Sequence, residues 1–498
     1  CTSGTAAANF FPAVIEAQES GTPLLVLTAD RPPELRDCAS GQAIDQLKLY
    51  GGHVNLFHEL AVPEPRLELL RYLRQTVAHA WQCARIPEPG PVHLNCPFRD
   101  PLPPVRDASA TGLSRDLDEA FFGHLSGEAP AAGRITARQR LSAPRGIIVA
   151  GPCAVTASGV YAAVLQRLAS SLHWPVLADA LSPARHHDLS GTVVVTAYDA
   201  LLRNARVGRA LLPRQVLCLG GWPTSKVLRG WLAQSGAEVL LVAPTARNRD
   251  ALHGRTRTLQ LPLENFDADR PAQVDTTYVT AWRQAEEAAR TVLDDKLAAT
   301  RNLFEGKAAW LLSESLPEAT PVFVASSMPV RDAEYFWRPG GRRTQFYFNR
   351  GANGIDGTLS TALGMAHGGK PSVLLTGDLA LLHDANGFLI RPKFSGSLTI
   401  VLINNRGGGI FEHLPVARFD PPFEDYFATP QEVDFARLCA AYGLKHTLVR
   451  DWAQFTGLVS RLPVHGIRVL EVRTDRKRDA AFRKKLFADA ARAAGRAL

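Results

Sequence analysis

Residues 374–411 read LLTGDLALLHDANGFLIRPKFSGSLTIVLINNRGGGIF, and this stretch decides the fold. An aliphatic run ends at Gly377-Asp378, a helical pattern follows, and a second aliphatic run ends at Asn404-Asn405 ahead of three glycines, Gly407 to Gly409. Two short runs of this kind with a helix between them read as parallel strands joined by a crossover. Such a crossover brings both strand ends to one edge of the sheet, where open α/β folds hold their ligands. Asp378 is therefore expected beside Asn405, although the two lie far apart in the chain.

The chemistry of that edge follows from its donors. A carboxylate (Asp378), an amide oxygen (Asn405) and a carbonyl freed by the turn at Gly407 form a hard-oxygen set suited to Mg²⁺, or Mn²⁺ in its place. Phosphate oxygens and water would fill the remaining positions. The glycines let the backbone fold around an ion without a side-chain clash, and a diphosphate is the natural partner. Taken singly, Asp378 would read as a helix cap and the Asn pair as a turn; spacing, strand context and glycines together favour the metal.

Working outward, the same alternation continues. Strands are expected at Pro23–Thr28, Pro91–Asn95, Gly146–Ala150, Gly191–Thr196, Gln215–Leu219, Glu238–Val242, Pro321–Ala325, Ser372–Thr376 and Leu398–Ile403, with a helical stretch from Asp275 to Leu316. The first region is expected to end near Pro104, followed by a charged connector from about Asp107 to Pro144. A chain of 498 residues is too long for one core, and domains of about 150 residues suggest three.

Composition excludes several classes. No apolar run approaches the roughly 18 residues of a membrane span. The seven cysteines include no C-x-x-C pair, so neither a disulfide framework nor a zinc site is expected, and a reducing cytoplasm fits best. The net charge is +8, which suits small polyanionic ligands. Part of it, Arg476, Lys477, Arg478, Arg483, Lys484 and Lys485, reads as an exposed helix with a solvated face rather than a nucleic-acid patch. Gly220 to Lys226 has the wrong spacing for a P-loop, and Ala150-Gly151-Pro152 is not a dinucleotide fingerprint, so no ATP or NAD site is expected. The chain opens at Cys1-Thr2-Ser3-Gly4-Thr5 and runs straight into an apolar helical pattern; it is expected to begin inside a domain.

The Gly377-Asp378 start and Asn404-Asn405 end resemble the cofactor fingerprint of thiamine-diphosphate-dependent enzymes. Leu379, where that fingerprint carries a second glycine, makes the segment most similar to the carboligases of menaquinone and phylloquinone synthesis. The resemblance extends to Thr2-Ser3-Gly4-Thr5-Ala6, to Leu27-Thr28-Ala29-Asp30-Arg31-Pro32, to Ser326-Ser327-Met328-Pro329-Val330-Arg331 and to Phe348 to Gly357. It implies three doubly wound parallel-sheet α/β domains, the first incomplete: 1–112 for the pyrimidine, 113–289 as linker and central domain, and 290–498 for diphosphate and Mg²⁺. It also implies a homodimer or homotetramer.

The resemblance further implies decarboxylation of 2-oxoglutarate and conjugate addition of the succinyl carbanion to isochorismate. Arg31, Gln42, Lys226, Ser327, Arg331 and Arg350 would surround these substrates, both dianions, for which the planar fork of Arg is well suited. Ser3, Gly4, Gly354, Ile355, Gly377, Asp378, Leu379, Asn405, Gly407, Ile410 and Phe411 would hold the cofactor, with Ile355 wedged beneath it and Leu414 on the apolar side. On their own terms Arg31 reads as a surface residue, Lys226 as a solvated helix start, the 348–357 segment as a glycine turn able to meet an anion, and Ile410, Phe411 and Leu414 as core. The family's catalytic glutamate would lie upstream of Thr2; neither Glu16 nor Glu34 is nominated in its place, and little turnover is expected of the chain as it stands. A different thiamine-dependent 2-oxoacid decarboxylase and a non-catalytic α/β binding protein remain the alternatives.

Overall fold

The computed structural model describes residues 1–103, 137–153, 157–245, 247, 248, 250–269 and 271–498, together with 113, 117, 119–123 and 125. The expected boundary at Pro104 and most of the 107–144 connector fall outside the described residues. The chain divides into two compact units, Cys1–Arg134 with Asn349–Gly354, and Ile135–Phe348 with Ile355–Leu498.

In the first unit, β1 (Leu24–Asp30), β2 (Leu56–Glu59) and β3 (Pro91–Pro97) form a parallel sheet in the order β1-β3-β2. Side chains alternate between the faces of a strand, and β3 uses both. Val92 and Leu94 pack with Ala80 of the helix Leu67–Cys83 and with Ala84, which caps it, while His93 and Asn95 are fully buried polar residues on the opposite face.

The second unit contains two six-stranded parallel sheets. Strands β5 (Gly146–Ala150), β6 (Val176–Ala178), β7 (Val194–Val195), β8 (Gln215–Leu219), β9 (Glu238–Ala243) and β10 (Arg255–Gln260) take the order β10-β9-β8-β5-β6-β7. A separate parallel pair joins β4 (Ala137–Arg140) to β11 (Phe266–Asp269). The other large sheet holds β12 (Pro321–Val324), β13 (Gln345–Tyr347), β14 (Ser372–Gly377), β15 (Ser397–Asn404), β16 (Lys445–Leu448) and β17 (Gly466–Arg473) in the order β13-β12-β14-β15-β17-β16. Every pairing in both sheets is parallel, as the continuous aliphatic runs require of strands buried on both faces.

The helix Thr276–Ala299 buries Trp282, Ala285, Ala289, Leu293 and Leu297 at helical spacing. They join a core that also takes Ile147 and Val149 from one sheet and Val322, Val324 and Val401 from the other. Two expectations need correction. The strand expected over Gly191–Thr196 shrinks to Val194–Val195, and the helical stretch expected from Asp275 to Leu316 is two helices, Thr276–Ala299 and Glu305–Ser315. Lys307 caps the break: its Nζ donates to the carbonyls of Ala298 and Thr300, satisfying groups that a helix end leaves without partners.

Candidate active site

The loops leaving β12, β14 and β15 emerge on one edge of their sheet, because Val324 pairs in register with Leu375 and Gly377 with Ile403. They carry Ser327, Asp378 and Asn405. Asp378 begins the short helix Asp378–His383 and is only 5% exposed. Its Oδ1 accepts from Leu379 N at 2.8 Å and its Oδ2 from Gly407 N at 2.8 Å. Burial pushes the carboxyl up to about 6, with the Gly407 and Leu379 N–H groups pulling back. A carboxylate desolvated to this degree, with N–H donors and no cationic side chain among the causes of its shift, is suited to receive a cation.

Asn405 supplies the test of fit. Its Nδ2 donates to Glu305 Oε2 at 2.8 Å, while Oδ1 is buried and has no hydrogen-bond partner. Buried acceptors are normally satisfied, and an amide oxygen held in place without a partner is of the kind a hard cation takes. Gly407 has φ +125°, a left-handed value, and an added Cβ would collide with Ala428 O. The Asp378–Asn405–Gly407 set is thus brought to one loop edge, and its chemistry fits Mg²⁺ with a diphosphate. No group of three or more His, Cys, Asp or Glu side chains suited to a metal occurs among the described residues; a site built from one carboxylate, one amide and one carbonyl is of another kind.

Beside it, Ser327 has φ 72° and precedes the helix Met328–Phe336. Arg331 Nη1 donates to Ser327 O at 2.6 Å, and burial lowers the Arg331 pKa. A strained non-glycine residue of this sort is typical of functional loops. Lys226 opens the helix Lys226–Ser235 and is exposed, as the bare reading expects. The loop before it is held by Thr224 N donating to Asp179 Oδ2 at 2.6 Å and by the Ser225 hydroxyl donating to Asp199 at 2.6 Å. Ile410 and Phe411 are half-buried and Leu414 is 37% exposed, so they do not form core and remain available to a ligand.

In the first unit, Gln42 Nε2 donates to Thr2 Oγ1 at 3.0 Å and to Ser3 O at 3.1 Å, and Arg31 Nε donates to Gly41 O at 3.2 Å. Arg31, Gln42, Ser3 and Gly4 are thereby gathered. Gln46 ties them to the sheet: Gly4 N donates to its Oε1 at 2.8 Å, and its Nε2 donates to Asn95 Oδ1 at 3.0 Å. In the loop 349–354, which carries Arg350 and Gly354, the N–H groups of Gly351 and Ala352 are taken by an anion of the chain itself. The anion is the Glu16 carboxylate, at 2.7 Å from each. Glu34 is exposed and paired with Arg99.

The expectation of a solvated C-terminal helix is corrected in part. Lys484 and Lys485 are exposed, but Arg476 is bound by Glu412 and Glu424. Arg483, 1% exposed, donates to Glu305 Oε1 at 2.7 Å and Asp332 Oδ1 at 2.6 Å. Glu305 and Glu471, which accepts from Asn404 Nδ2 at 2.8 Å, were invisible in the sequence. A glutamate inside an apparent helix and another inside a strand carry no motif, and only the adjoining Asn pair hints that each amide needs an acceptor.

Parallel sheets with an Asp–Asn–Gly oxygen edge suit a thiamine-diphosphate enzyme, and comparison with known proteins shows that class. The description "Middle domain of thiamine pyrophosphate" matches residues 130–324 and "Thiamine pyrophosphate enzyme, C-terminal TPP binding domain" matches 327–472. The chain belongs to the 2-succinyl-5-enolpyruvyl-6-hydroxy-3-cyclohexene-1-carboxylate synthase family. A synthase of that name from Nostoc sp. (strain PCC 7120) is 50% identical over 492 residues, 97% of this chain and 84% of the relative. Those of Trichodesmium erythraeum and Microcystis aeruginosa are 49% identical over 494 residues and 50% over 479, covering 97% and 96% of this chain and 85% and 84% of the relatives.

Proposed function

We propose that the chain serves the decarboxylation of 2-oxoglutarate and the conjugate addition of the resulting four-carbon unit to isochorismate, giving 2-succinyl-5-enolpyruvyl-6-hydroxy-3-cyclohexene-1-carboxylate for menaquinone or phylloquinone. The observation that carries this reading furthest is the buried, partnerless Oδ1 of Asn405 on the loop clasped to Asp378. Thiamine diphosphate, when bound, supplies the electron sink for carbon–carbon bond cleavage and formation. Asp378, Asn405 and the Gly407 carbonyl would hold the Mg²⁺ or Mn²⁺ that accompanies its diphosphate. Gly377, Leu379, Ile410 and Phe411 line that anchor, Ile355 and Gly354 support the ring system, and Ser3 and Gly4 meet the pyrimidine.

Arg31 and Arg350 of the first unit, and Lys226 and Arg331 of the second, are each assigned to carboxylates of the two dianionic substrates, with Gln42 and Ser327 as further donors or acceptors in their own units. Fixed guanidinium forks orient the carboxylates and stabilise negative charge as it develops. Desolvation at Arg331 strengthens such an interaction relative to water. The working form is a cytoplasmic homodimer or homotetramer.

Calorimetric titration of thiamine diphosphate with Mg²⁺ into the protein and into Asp378→Ala tests the anchor. Affinity should fall by more than the roughly 10–100-fold typical of losing an outer partner of a metal ligand, and chelation of Mg²⁺ should reproduce the loss. Equal binding by both proteins in the presence of Mg²⁺, or wild-type binding that a chelator leaves unchanged, would reject the reading. Carbon dioxide release from 2-oxoglutarate with and without isochorismate then separates this synthase from a pyruvate-using relative, for which Arg331→Ala would leave activity unchanged.

A further inference from the structure

We propose that Glu305 is a positioning residue for the cation site: its carboxylate engages the Asn405 NH₂ group and so turns the amide oxygen to the cation, with Arg483 holding that carboxylate in place. The inference rests on reading Asp378 and Asn405 as cation ligands. A side-chain amide has two ends of nearly equal shape, and only the oxygen binds a hard cation. Rotation about the terminal torsion is broad and roughly two-fold, so an unrestrained asparagine presents its NH₂ group as readily as its oxygen.

An ionised carboxylate accepts and does not donate. Glu305 Oε2, 2.8 Å from Asn405 Nδ2, therefore admits one orientation of the amide and rejects the other. The second oxygen, Oε1, takes Arg483 Nη2 at 2.7 Å, and the same nitrogen reaches Asp332 Oδ1 at 2.6 Å. Arg483 Nη1 lies 3.0 Å from His413 Nε2. Glu305 opens the helix Glu305–Ser315, with its backbone N–H donating to Asp479 Oδ2 at 3.1 Å. Glu305, Arg483 and Asn405 are 2%, 1% and 6% exposed, so water does not compete for these contacts.

One neighbour closes the remaining freedom. A Cβ at Gly409 would lie 2.6 Å from Asn405 Nδ2, so the amide occupies the space that any larger residue there would need. Asn404 is pinned in the same manner by Glu471, whose Oε2 is 2.8 Å from His446 Nε2. Partners of metal ligands that fix orientation in this way contribute substantially to metal affinity.

The test uses Mn²⁺ with thiamine diphosphate, following the free-ion signal by electron paramagnetic resonance, on Asp378→Ala, Asn405→Ala, Glu305→Ala and the Glu305→Ala/Asn405→Ala double variant. Glu305→Ala is expected to weaken Mn²⁺ binding about 10–100-fold. In the Asn405→Ala background the same change should alter binding by less than about twofold, the non-additivity of residues acting through one group. Unchanged affinity in Glu305→Ala, or equal losses in both backgrounds, overturns the positioning role. Unchanged affinity in Asp378→Ala instead overturns the cation reading beneath it. Should Glu305→Ala fail to fold, the isosteric Glu305→Gln carries the same cycle. Arg483 claims its oxygen, its NH₂ group faces Asn405, and the same background-dependent loss is expected; no loss, or equal losses, overturns the proposal.

Discussion

The N–H of Gly407 donates to Asp378 Oδ2 at 2.8 Å across the strand pair β14 and β15. The donor is a glycine at φ +125°, its Cα facing Ala428 O so closely that no side chain fits. The bond joins the two halves of the oxygen edge, and its geometry depends on the missing side chain.

Gly407→Ala should therefore separate those halves. A residue forced into this region costs on the order of 1–3 kcal/mol, and relief of the clash moves the loop away from Asp378. Mg²⁺-dependent affinity for thiamine diphosphate, measured by calorimetry, should drop about 10–100-fold while the far-ultraviolet circular dichroism stays unchanged. Wild-type affinity in this variant would show that the clasp has no part in binding.

His93 predicts an acid limit for the first unit. Thr28 Oγ1 donates to Asn95 Oδ1, so the 2.7 Å contact between Thr28 Oγ1 and His93 Nε2 has the ring nitrogen as donor. Nδ1 is buried without a partner, and burial lowers the pKa from 6.5 to about 4. The unfolded chain then binds more protons than the folded one between these values, and stability falls as pH drops through that window, by at most about 1.4 kcal/mol per pH unit. Urea unfolding at a series of pH values should give a shallower acid slope for His93→Gln than for wild type; parallel slopes would assign the acid sensitivity elsewhere.

Arg185 should be among the costliest positions to change in the second unit. Fully buried, it donates to Ala178 O at 2.9 and 2.6 Å and to Trp337 O at 2.8 Å, and lies 3.5 Å from Glu334 Oε2. Glu334 accepts from Ala180 N at 2.7 Å and from the Tyr198 hydroxyl, and burial raises its pKa to about 8. Arg185→Met strands the carbonyls of Ala178, Trp337 and Glu334 and the Glu334 carboxyl, a loss of about 3–5 kcal/mol. In the Arg185→Met/Glu334→Gln double variant part of that should return, read as a rise in Tm over the single change; a Tm within error of wild type for Arg185→Met alone would contradict the account.

Much of the architecture was legible because local and tertiary signals coincide. Gln215–Leu219 was read with its observed bounds, and Ser372–Thr376 and Leu398–Ile403 fell short only by end residues, since unbroken aliphatic runs between glycines and polar turns have few other uses. Gly191–Thr196 misled for the same reason: its valines reach a sheet edge where only Val194 and Val195 pair. The oxygen edge was readable as Asp378, Asn405 and Gly407 because a parallel crossover dictates where strand ends meet. Glu305 is not, because Asp275 to Leu316 reads as one helical stretch, whereas the structure ends one helix at Ala299 and begins another at Glu305. Arg483 stands in a basic run that looks solvated, and its burial depends on acidic partners far away in the chain.

Those distances in sequence constrain how the protein matures. The groups that meet at the Asn405 amide come from positions 305, 332, 405 and 483, the last within the helix Arg476–Ala497. A ribosome must have added residue 483 and released it from the exit tunnel before the amide has its final partners, so metal capture through a fixed Asn405 belongs after the synthesis of everything upstream.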